Sequence, residues 1–187
     1  LGPWLTPEQD ILDGPAARVM KTAAFGPDRR IGTTGVWPHG YAGYAVFREI
    51  IARPDGTLGT AWVPEMVPAD RGPLAAATSL AAGERIQGLP GRFLLQAVAD
   101  GPVALRLAGQ ELALGCEPAR VALSAGPAIE RVQGLDGRYA FEVIVHDQVI
   151  DVQVPDARTM VGWLHMPLDG RVELLRGRLA DVRCTRV

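Results

Sequence analysis

The chain has 187 residues, 48% apolar and 21% charged, the balance of a globular core under a solvated surface. No apolar run approaches the ~20 residues that a membrane-crossing helix needs, so no membrane partner is expected. A formal net charge of −2 gives no electrostatic case for binding nucleic acid.

The chain opens on Leu1-Gly-Pro-Trp-Leu-Thr, with no initiator Met, basic n-region or apolar h-region. We read this as a sequence that continues upstream. Thr6-Pro-Glu-Gln9 has the form of a capping box with Pro at the first helical position, enough for one turn before Gly14. Beyond it, Pro (15) and Gly (22) interrupt the sequence too often for long helices. The Asp-Gly pairs at 13–14, 55–56, 100–101, 136–137 and 169–170 are expected to mark strand reversals, because tight hairpin turns require positive φ.

Near residue 70 the composition changes. A Trp-, Tyr- and Pro-rich portion ends in the break Pro68, Asp70, Arg71, Gly72 and Pro73, and an Ala/Leu/Val-rich portion follows. This predicts one unit over residues 1–68 and a β-sandwich over 74–187. The Ala-rich stretch Leu74 to Ala82 has helical propensity but is bracketed by Gly72-Pro73 and Gly83, which leaves helix and strand both open.

Further on, apolar residues alternate at Val103/Leu105/Leu107, Leu112/Leu114, Tyr139/Phe141/Val143/Val145, Ile150/Val152/Val154 and Val182/Cys184. Period two with β-branched and aromatic residues is the pattern of half-buried strands, and many such strands in series predict an all-β, antiparallel sandwich. Glu142, on the face opposite Phe141, is expected to be solvated. Cys116 and Cys184 lack metal-ligand spacing, and a disulfide between them stays open. His39, His146 and His165 show no metal spacing, and no phosphate loop or nucleophile elbow occurs, so neither metal nor cofactor is predicted.

Two stretches together resemble the C-terminal part of glycoside hydrolase family 32, the invertases and fructosidases. The first contains Asp13-Gly14, Lys21-Thr22, Arg29-Arg30-Ile31, Gly35-Val36-Trp37, Phe47-Arg48-Glu49-Ile50, Asp55-Gly-Thr-Leu58 and Val63-Pro-Glu-Met66, in the family's order. The second runs Val145-His-Asp147-Gln148, Ile150-Asp151-Val152 and Ala157-Arg158-Thr159. Here Asp151 stands where the family has Glu, and the following aromatic is absent.

The resemblance implies the last blade of a five-bladed β-propeller over residues 12–66, followed by the antiparallel β-sandwich. It implies a carbohydrate substrate and, as partner, the remainder of the propeller. The family's catalytic motifs, Asn-Asp-Pro-Asn, Arg-Asp-Pro and Glu-Cys, do not occur, so no catalytic residue is carried over. Lys21, Arg18 and Trp37 are the candidate substrate-binding residues. The cations offer several donors to sugar hydroxyls and the indole offers a face; the alternative is that all three simply close the blade. Arg48 and Glu49 are expected to form a structural ion pair at the seam between blade and sandwich.

Three readings follow: the C-terminal portion of a retaining glycosidase, a carbohydrate-binding or interaction sandwich, and an accessory sandwich through which homo-oligomers form.

Overall fold

The computed structural model describes residues 16–36, 43–53, 56–116, 120–124, 126, 128–130, 132 and 134–187. They form an all-β structure of three antiparallel sheets, with one 3₁₀ turn at Pro64–Met66. The Thr6–Gln9 capping box lies outside these residues.

The first sheet is a meander of β1 (Ala17–Phe25), β2 (Arg29–Val36), β3 (Tyr44–Ala52) and β4 (Leu58–Trp62). After the 3₁₀ turn and a linker come β5 (Pro73–Ala81), β6 (Arg85–Gln87), β7 (Arg92–Asp100), β8 (Val103–Leu107), β9 (Gln110–Cys116) and β10 (Arg120–Leu123). The chain continues through β11 (Ala128–Glu130), β12 (Arg138–His146), β13 (Val149–Val154), β14 (Arg158–Trp163), β15 (Arg171–Arg176) and β16 (Arg178–Arg186). These build two six-stranded sheets, in the orders β14-β13-β12-β7-β16-β5 and β11-β10-β9-β8-β15-β6.

The alternation read from the sequence is the burial pattern of these strands. Tyr139, Phe141, Val143 and Val145 on β12 are at most 8% exposed, and Val143 and Val145 stand opposite Val152 and Ile150 of β13. Together with residues such as Phe93, Leu105 and Leu112 from both sheets they form the sandwich core. The Ala-rich stretch becomes β5. Gly72 and Gly83, at φ +116° and +88°, confine it to little more than two helical turns, and β16 offers it a ladder instead. Cys184 is a buried free thiol in the core, and burial pushes its pKa up to about 11.

The Asp-Gly pairs only partly mark hairpins. Gly101 and Gly170 take φ +80° and +78°, but their turns carry the chain from one sandwich sheet to the other, between β7 and β8 and between β14 and β15. The two-residue hairpin turns are Ala108-Gly109, with φ +48° and +77°, and Asp147-Gln148, with Asp147 at +57°. Of the remaining pairs, Asp13-Gly14 and Asp55 lie outside the described residues.

The first sheet packs on the outer face of the β14-side sheet. A smaller apolar cluster of Val36, Val46, Val149 and Val161 lies between them, apart from the main core. The β13–β14 side of the middle sheet is thus covered on both faces, which is why β14 is buried along nearly its whole length. This stacking decides where polar side chains of the middle sheet end up.

Candidate functional site

The densest polar arrangement lies at the seam between the four-stranded sheet and the sandwich. Arg48, at the centre of β3, is 1% exposed. Its guanidinium donates to both carboxylate oxygens of Asp151 on β13, at 2.9 and 2.8 Å. Trp62, opposite Arg48 on β4, donates its indole N–H to Asp151 Oδ1 at 3.0 Å and its backbone N–H to Gln153 Oε1 at 2.6 Å. Gln153 in turn donates to Glu142 (3.0 Å), which also accepts from Gln96 (2.6 Å). Further along, Thr159 Oγ1 donates to Thr60 Oγ1 at 2.9 Å, while Arg158 donates to Leu58 O and Arg53 to Ala157 O.

A bidentate pair this deep offsets the loss of hydration only when its geometry is good, and removing one partner strands a buried charge. The seam is therefore a joint that fixes one register between the two layers. This corrects the pairing expected from the sequence: Arg48 does form a structural ion pair at the seam, but with Asp151.

Glu49 does not share it, because alternation along β3 sends neighbouring side chains to opposite faces. It pairs with Arg29 at 2.8 and 3.0 Å, and Arg29 also grips Glu65 of the 3₁₀ turn at 2.6 and 3.1 Å. Hydrogen bonding to this guanidinium pulls the Glu65 carboxyl from its ordinary 4.5 down to about 2. Glu142 is half-buried and hydrogen-bonded rather than solvated, because Gln96 and Gln153 on the flanking strands donate to it.

Of the candidate substrate-binding residues, Lys21 is exposed on edge strand β1. It lines a groove of about 300 Å³ with Thr22, Phe25, Ile31, Thr33 and Phe47. Arg18 sits on the same strand opposite Gly35, and the register shifts between it and Lys21. Trp37 lies outside the described residues. A second cavity, of about 270 Å³, opens at the seam between Tyr44, Met66, His146 and Val149, with Arg48 and Asp151 at its floor.

Among the described residues no group of three or more His, Cys, Asp or Glu could hold a metal. Glycoside cleavage needs two carboxylates facing each other across a substrate cleft. Here Asp151, Glu49, Glu65, Asp147, Glu173 and Asp169 each face an arginine instead. The sequence carries one sign of the seam: Asp151 interrupts the run Val149-Ile150-Asp151-Val152 on a strand otherwise rich in β-branched residues.

No family model matches the sequence, and no curated protein matches it significantly. Solved structures do. Sucrose-6-phosphate hydrolase from Lactobacillus gasseri superposes with a TM-score of 0.72 at 11% identity, over 94% of this chain and 42% of its own. A structure of A. japonicus CB05 and one of Aspergillus kawachii beta-fructofuranosidase complexed with glycerol each give 0.64 at 12% identity. They cover 85% of this chain and 40% and 42% of theirs. The fold is that of the C-terminal part of family 32-like hydrolases. The resemblance stated from the sequence thus holds at the level of fold, and the chain spans about two fifths of the length of these enzymes.

Proposed function

We propose that this chain is the C-terminal portion of a glycoside hydrolase acting on β-fructosides or related glycosides, with the catalytic carboxylates outside it. On this reading the four-stranded sheet is the last blade of a propeller. The sandwich is an accessory domain that holds that blade through the Arg48–Asp151–Trp62 joint. The observation that carries the proposal is the likeness to the hydrolase folds over 94% of the chain, together with carboxylates committed to arginines.

Lys21 fits the rim of a sugar site, since β1 is an edge strand of its sheet among the described residues and an ammonium donates up to three hydrogen bonds to hydroxyls. The alternative, a free-standing carbohydrate-binding sandwich, usually presents a row of exposed aromatics. Phe93 and Phe141 are fully buried, Tyr139 is 8% exposed, and Trp163 packs against Tyr44 with ring centroids 5.9 Å apart.

The test is an assay of the purified 187-residue chain on sucrose, fructans and aryl glycosides. No turnover is expected. Turnover that vanishes when a carboxylate within the chain is replaced would overturn the proposal.

A further inference from the structure

We draw no further inference here: the strongest candidate, the cavity of about 270 Å³ between β3, the 3₁₀ turn and β12–β13, is walled mainly by apolar side chains over an Arg48–Asp151 pair committed to itself, and nothing in the structure shows what covers it.

Discussion

Glu142 and Phe141 are adjacent on β12 and point to opposite sides of the middle sheet, yet neither is fully solvated. Phe141 is fully buried in the sandwich core. Its truncation to Ala should cost roughly 3–5 kcal/mol from lost transfer free energy and the cavity left behind. Glu142 accepts hydrogen bonds from Gln96 and Gln153, so Glu142→Ala should cost about 1–2 kcal/mol, more than a solvated position would. Denaturant melts of the two variants check the ranking, and equal costs would refute the register. At Glu65 the effect is one of pH. Its folded-state pKa is depressed from 4.5 to about 2 by Arg29, so its contribution favours the folded state above pH 4.5. That contribution fades as pH falls toward about 2. In a carbon-detected NMR titration, Arg29→Gln should bring the Glu65 midpoint back toward its ordinary value. A midpoint unmoved by that substitution would remove Arg29 as the cause.

At the scale of elements, the connections decide which strands become neighbours. Gly177 links β15 to β16 across the two sandwich sheets at φ +85°, and a Cβ there would lie 2.5 Å from the carbonyl oxygen of Pro102. Both backbone strain and collision oppose a side chain, so Gly177→Ala should destabilise by about 2 kcal/mol or more. Ala108 is the converse case. It holds φ +48° in the β8–β9 turn, where glycine or asparagine is preferred, so Ala108→Gly should stabilise by about 1 kcal/mol. Thermal melts should move in opposite directions for the two changes. The turn chemistry was readable where it was local: an Asp-Gly pair does signal a change of direction. Whether the next strand joins the same sheet or crosses to the facing one depends on the partner each strand finds, which two residues cannot encode.

For the whole molecule the seam is the part that couples the layers. Replacing Asp151 by Ala leaves Arg48 buried without its carboxylate, at a cost of roughly 3–5 kcal/mol. Because the sandwich has a core of its own, limited proteolysis of this variant should open residues 17–66 first and leave residues 73–186 resistant. Cleavage that begins within the sandwich would contradict this order. The sequence alone determined the all-β class, the strands of the sandwich and the inward faces of β12 and β13. Those features rest on period-two alternation and on turn residues, which act between neighbours in the chain. Only the tertiary structure decided that the other face of the middle sheet is covered at its β13–β14 side and that Asp151 is the partner of Arg48. It also decided that Glu49 turns away to Arg29. The physical reason is that alternation tells which side chains share a face but not what will cover that face. Arg48 and Asp151 stand 103 residues apart, and only the stacking of one sheet on another brings them within hydrogen-bond reach.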